Sequence, residues 1–125
     1  MTLTALFTPY VMGPLRLKNR LVMNPMTRCR ADEAAVPTPI MADYYAQRAS
    51  AGLIIAEATM VAEGNSAFWR EPGIYSAAQI QGWKQVTDAV HAKGGKIVLQ
   101  IWHGGRACHP ALNNGNTPVS SAAVA

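Results

Sequence analysis

An α/β fold built on a parallel sheet is the expectation for this chain. Aliphatic runs at about 20–26, 53–56 and 97–101 alternate with segments of helical periodicity, the strand–helix–strand rhythm of parallel sheets. The run at 53–56 is apolar at both alternating sets, as in a strand covered on both faces. Each run also passes into polar or special residues at its carboxyl end: Asn24-Pro25-Met26-Thr27, then Glu57-Ala58-Thr59, then Gln100 and Trp102-His103-Gly104-Gly105-Arg106. Ligands of parallel α/β proteins sit beyond the carboxyl ends of the strands, so these ends predict one shared site.

Taken in order, residues 6–20 carry a Gly13-Pro14 turn between short, partly alternating pieces. This is the pattern of a β-hairpin that caps the main sheet without joining its core. The first strand follows, then a polar, Pro-containing loop at 28–37. Thr38 is placed to cap a helix with Pro39 in the first helical position, where a missing N–H costs nothing. That helix is expected to reach about Ser50, with Gly52 ending it and releasing the second strand. Residues 63–75 form a long loop with Phe68 and Trp69 at its middle, the kind of loop that faces substrate in α/β proteins. Ser76 to Gln79 has the form of a capping box, and Ile80, Trp83, Val86, Thr87 and Val90 recur at helical spacing up to Lys93 and Gly94. The third strand closes the pattern, and beyond Arg106 the chain turns polar and irregular. A hairpin, about three strands and two helices, joined by right-handed crossovers, are therefore expected. Such a sheet alone leaves apolar faces and edges in water, so a partner fragment or a continuing chain is expected to cover them.

Composition bounds the function. The 125 residues suffice for one small domain but not for most α/β barrels, which need roughly 250. Charged residues make up 14% of the chain, against about 25% in ordinary soluble domains, which again points to a covered surface. The net charge is +4, but the eleven Lys and Arg are dispersed and no nucleic-acid motif accompanies them. Mild positive potential equally suits a phosphorylated cofactor. Cys29 and Cys108 have no paired spacing, no signal-type segment opens the sequence, and no apolar run approaches the roughly 20 residues that span a bilayer. A cytoplasmic, reduced protein with no nucleic-acid or membrane partner is expected. His103, Cys108 and His109 lack a metal-site spacing and a fourth donor, so no metal is expected, and His103 should pack near the mouth of the sheet. The pairs Gly94-Gly95 and Gly104-Gly105 read as turns. Met12, Met23, Met41 and Met60 read as core fillers and Asp32-Glu33 as a solvated loop pair.

Chemistry gathers on Thr27, Ala58 and Gln100 if their strands lie side by side. A carboxamide offers donor and acceptor in one plane, which matches the edge of a pyrimidine or flavin ring. A threonine hydroxyl can donate to a ring carbonyl and favour electron density there. An alanine lets a flat ring approach the backbone. Singly, Thr27 reads as a turn or cap residue, Gln100 as a polar plug at a barrel end and Ala58 as core.

Gln100-Ile101-Trp102-His103-Gly104-Gly105-Arg106, with Asn24-Pro25-Met26-Thr27-Arg28, Asn19-Arg20, Glu57-Ala58 and Pro72-Gly73-Ile74, closely resembles the N-terminal third of the Old Yellow Enzyme family of flavin-dependent ene reductases. The likeness runs from Leu6 to about Ser121 in the family's order and spacing. It implies that residues 1–125 are the N-terminal segment of an FMN-containing (β/α)8 TIM barrel. In that barrel NADPH or NADH reduces the flavin, which passes a hydride to the activated C=C bond of an enone, maleimide or similar compound. By position, Asn24, Pro25, Met26 and Thr27 are similar to the flavin-edge strand, Ala58 to the small residue against the ring and Gln100 to its pyrimidine-edge partner. Trp102 is similar to the aromatic that shapes the substrate pocket, and Phe68 stands where many members carry a tyrosine. Threonine at position 27 resembles one branch of the family, whereas another carries cysteine there. The family's carbonyl-polarising His/His or His/Asn pair, proton-donating tyrosine and phosphate loops have no counterpart in these residues. No catalytic acid is therefore assigned here, and the chain alone is expected to bind FMN poorly and be inactive without a complementary C-terminal portion of the barrel. The competing expectation is a non-catalytic, truncated module that binds another subunit through its sheet edges.

Overall fold

The computed structural model describes residues 3–122. A single helical turn, α1 (Leu3–Leu6), which the sequence reading did not anticipate, leads into a hairpin of β1 (Tyr10–Met12) and β2 (Leu15–Leu17). Tyr10 pairs with Leu17 and Met12 with Leu15, and Gly13 supplies the left-handed residue of the turn at φ 56°. The hairpin is not purely a cap, because Leu17 is buried, and Met12 stays exposed instead of filling a core.

The main sheet follows as β3 (Val22–Met23), α2 (Pro39–Ala46), β4 (Leu53–Met60), α3 (Ala77–Ala92) and β5 (Ile97–Trp102). Its strands lie in the order β3-β4-β5 and are all parallel, each crossover carrying a helix. Met41, Tyr45 and Ala49 from α2 and the turn after it meet Ile54 and Ala56 of β4 and Trp83, Val86 and Val90 of α3 in one core. Met23, Ile97 and Leu99 pack on its margin, which fixes the covered face of the outer strands. By alternation Val22 and Val98 point to the opposite face, and they are 44% and 43% exposed. One face of the sheet is thus covered and the other open.

Several elements are shorter than their sequence pattern. Instead of spanning 20–26, β3 holds two residues. Pro25 has no N–H with which to continue a ladder. At the near end, the Leu21 carbonyl accepts from the amides of Gly52 (2.9 Å) and Leu53 (3.3 Å). Helix α2 ends at Ala46 and not near Ser50, because the chain tightens into successive three-residue turns, with Arg48 N–H bonded to the Tyr45 carbonyl and Ala51 N–H to that of Arg48. Thr38 takes the extended conformation of a cap and Pro39 opens the helix, yet the hydroxyl caps nothing. It donates instead to the Arg30 carbonyl at 2.7 Å, pinning the preceding loop. Gly52 is required by close approach: a Cβ there would lie 2.2 Å from the Asn19 carbonyl oxygen.

Helix α3 begins with the expected capping box, Ser76 Oγ accepting from Gln79 N–H while Gln79 Oε1 accepts from Ser76 N–H. Gln79 goes further and is buried, its amide donating to the Ala34 carbonyl at 3.0 Å. The buried stripe then runs Gln79, Gly82, Trp83, Val86, Val90, so Ile80, one position round the helix, is exposed and does not join the core. Gly94 ends the helix at φ 68°. Lys18, from the segment after the hairpin, donates to the carbonyls of both Ala49 (2.5 Å) and Gly94 (3.2 Å) and so binds the two helix-to-strand turns together.

One polar connection crosses the core. Tyr45 OH donates to Glu57 Oε1 and accepts from the Glu57 amide, both at 2.9 Å, while Glu57 Oε2 accepts from Arg28 N–H at 2.9 Å. Burial pushes the Glu57 carboxyl above the usual carboxylate range, and the Arg28 amide and Tyr45 hydroxyl pull it part of the way back. The same burial, with the neighbouring carboxylate, holds the Tyr45 phenol protonated.

Tyr45→Phe leaves a buried carboxylate oxygen and an amide short of a partner, and is expected to lower stability by about 1–3 kcal/mol in urea unfolding. The pH response follows from the raised carboxyl: between its ordinary value near 4.3 and its folded-state value, the native form binds more protons than the unfolded form. Glu57 therefore makes the fold less stable as pH rises through that window. Glu57→Gln is expected to flatten this decline, read from urea midpoints at a series of pH values.

Candidate functional site

The register of β4 decides which side chains reach the open face. Ile55 pairs with Val98 but Ala58 pairs with Gln100, so β4 spends one more residue than β5 over the same rise. This bulge turns Glu57 back toward Tyr45 on α2 and returns Ala58 to the open side, opposite Gln100. Thr27 lies beyond the paired part of β3, and the neighbouring Arg28 amide is tied to Glu57. The structure thus sets Ala58 directly beside Gln100 and brings the Thr27 turn to the same strand end. Gln100 is exposed, Thr27 and Pro25 are half-buried, Asn24 and Met26 are exposed, and Ala58 is only 4% exposed.

Phe68 and Trp102 also come together, although the sequence separates them by a whole helix. Their rings stack with centroids 5.7 Å apart and planes 20° from parallel. Beneath them lies Glu71, buried to 1% exposure. Its Oε1 accepts from the Trp102 indole N–H. Its Oε2 faces the amides of Ala67 (3.1 Å) and Phe68 (3.4 Å) and the Ser66 hydroxyl (3.2 Å). Burial raises the Glu71 carboxyl above its usual range against the pull of these donors. Cys108 is buried close by, its thiol pushed up by burial and by the Glu71 charge. Asn113 locks the 63–75 loop to the segment after β5, accepting from Ser66 N–H at 2.8 Å and donating to the Ser66 carbonyl at 2.9 Å.

His103, directly after β5, is exposed, and its Nδ1 accepts from Gly105 N–H at 3.0 Å. Asp32 makes a local turn, accepting from Ala34 and Val36 amides, and Glu33 meets Arg70 at 3.6 Å. Among the described residues no three His, Cys, Asp or Glu side chains gather as a metal site, and no helix is long and apolar enough to cross a membrane. A shallow groove of about 810 Å³ bordered by Cys29, Arg30, Trp69 and Arg70 includes none of Thr27, Ala58 and Gln100. Of the three, Gln100 is exposed at the strand end, Thr27 is half-buried in the turn after β3 and Ala58 is buried between them. Sequence reasoning missed Glu71 and Tyr45 and gave Glu57 no role. A lone Glu in the aliphatic run of β4 was the available signal for Glu57; Glu71, in a polar loop, offered none.

The profile of the NADH:flavin oxidoreductase / NADH oxidase family matches residues 5–125. A chanoclavine-I aldehyde reductase from Penicillium roqueforti is 51% identical over 98% of this chain and 35% of its own length. A probable flavin mononucleotide-dependent alkene reductase from Leishmania infantum is 46% identical over 99% of this chain and 34% of its own. The solved Old Yellow Enzyme homologue from Zymomonas mobilis superposes with a TM-score of 0.91 at 48% identity, over 96% of this chain and 34% of that one. The chain thus spans about a third of the length of the relatives it matches, and the solved relatives are TIM barrels whose N-terminal third it overlays. By this extent of likeness in both sequence and backbone, the chain belongs to the NADH:flavin oxidoreductase / NADH oxidase family, the group of the Old Yellow Enzymes.

Proposed function

We propose that residues 1–125 form the N-terminal segment of a single FMN-binding (β/α)8 barrel that acts as an NADPH- or NADH-dependent ene reductase in the cytoplasm. The observation that carries this reading is the pairing of Ala58 with Gln100 at the open face, with the Thr27 turn held beside them through Arg28 and Glu57. The donor set fits one edge of a flavin: an exposed carboxamide for the pyrimidine edge, a hydroxyl for a ring carbonyl and a small residue that leaves a ring room. Asn24, Pro25 and Met26 continue that edge. FMN, when bound, supplies the hydride relay between nicotinamide and alkene. The chain's own residues orient its ring, and Phe68 and Trp102 form a wall for the small activated alkene, an enone, maleimide or similar compound.

Groups that polarise the substrate and protonate it belong, in this reading, to the remaining barrel strands, which also cover the open face carrying Val22 and Val98. Alone, the chain is inactive. The test is the visible spectrum and intact mass of the purified protein, with NADPH oxidation followed in the presence of an enone. A yellow protein and enone-dependent oxidation are expected when the barrel is complete. A colourless, soluble chain that instead binds another subunit through its sheet edges would replace this reading with that of a non-catalytic module.

In the complete barrel, Gln100→Ala removes a hydrogen-bonding edge and is expected to weaken FMN binding about fivefold to tenfold, measured by flavin fluorescence titration. Thr27→Ala removes a donor that stabilises the electron-rich ring. It is expected to lower the two-electron reduction potential by roughly 20–30 mV, the equivalent of about 1 kcal/mol, measured by dye-coupled reduction.

A further inference from the structure

Glu71 is a buried carboxylate that, among the described residues, meets no cation within ion-pair distance. An ionised group in that position is costly unless its acceptor sites are met, and here N–H donors from two separate parts of the chain meet them. One oxygen takes the indole N–H of Trp102 at the end of β5. The other accepts from the backbone amides of Ala67 and Phe68 in the turn that carries Phe68. The loop has further ties besides this carboxylate. Asn113 clamps Ser66 from both sides, and Gly104 lets the chain after β5 come so close that an added Cβ would lie 2.6 Å from Cys108 Sγ and 2.7 Å from the Asn65 carbonyl oxygen. Glu71 provides a common anchor for the indole of Trp102 and the backbone that carries Phe68, whose ring is 42% exposed and stacks on that indole.

We propose that Glu71 is a positioning residue for the substrate wall: by anchoring the Trp102 indole and the Phe68 turn together it holds the stacked pair in one arrangement and so sets which alkenes the site admits. The inference rests on the function proposed above. A carboxylate suits the task because it accepts on both sides. The Glu71→Gln side chain presents an NH2 group to one of them, and if its oxygen keeps the two backbone amides, the indole faces another donor and is released.

The experiment compares wild-type and Glu71→Gln forms of the flavin-loaded, complete barrel on two enones, one small and cyclic, the other bulky and substituted. The ratio of kcat/KM for the two is expected to shift by about tenfold, carried mainly by KM for the bulky substrate. The shift is expected to vanish when Glu71→Gln is made in a Trp102→Phe background, since the anchor then has no indole to hold. Fluorine NMR of protein labelled with 5-fluorotryptophan, with the Trp102 line assigned by Trp102→Phe, is expected to show that line broadened or split in Glu71→Gln. If Glu71→Gln does not fold, Glu71→Asp, which keeps the charge but shortens its reach, is expected to give the same changes. An unmoved ratio, a shift that persists undiminished without the indole, or an unchanged Trp102 line overturns the inference while an active, yellow wild type leaves the proposed function standing. A wild type without flavin or enone reduction overturns both.

Discussion

One surplus residue in β4 governs the division of labour in this structure. A regular parallel ladder would send Glu57 to the open face and Ala58 toward the helices. The bulge between Ile55 and Ala58 reverses that assignment, and both outcomes follow from a single register change. Glu57 becomes the polar bridge to α2 and to the Arg28 turn, while Ala58 joins Gln100 on the face left open. The same step in the backbone thus serves the packing of one side of the sheet and the composition of the other.

Two buried carboxylates, Glu57 and Glu71, carry the polar architecture of the strand ends by a common strategy. Neither, among the described residues, forms a salt bridge. Each is satisfied by amide, hydroxyl or indole donors whose directions are fixed by the backbone, so geometry rather than charge pairing stabilises it. Such groups contribute little net free energy, because desolvation offsets much of what the hydrogen bonds return. Their effect is to allow one arrangement of the surrounding loops and to penalise the others.

Much of the architecture was legible in the residues because it depends on local rules. The turn at Gly13, the capping box at Ser76 and Gln79, the stop at Gly94 and the doubly apolar β4 each follow from conformational or burial preferences of a few neighbours. The neighbourhood of Ala58 and Gln100 was legible too, since parallel strands joined by helices bring their carboxyl ends together. What escaped was non-local. The shortening of β3 reflects competition at Leu21 and the missing amide of Pro25, and Thr38 gave its hydroxyl to Arg30 rather than to its own helix. The partnership of Glu71 with Trp102 joins residues on either side of α3, and no spacing in the sequence encodes it. The exposure of Ile80 likewise depends on Gln79 and Gly82 having been claimed by the 34–37 loop.

Lys18 lies at the opposite end of the sheet from all of this. Its ammonium links the carbonyl of Ala49, just ahead of β4, to that of Gly94, just ahead of β5. Both crossovers therefore end on the same hydrogen-bonding hub, supplied by a side chain that precedes either of them in the chain. Lys18 thereby couples the entry to β4 with the entry to β5, at the end of the sheet away from Gln100.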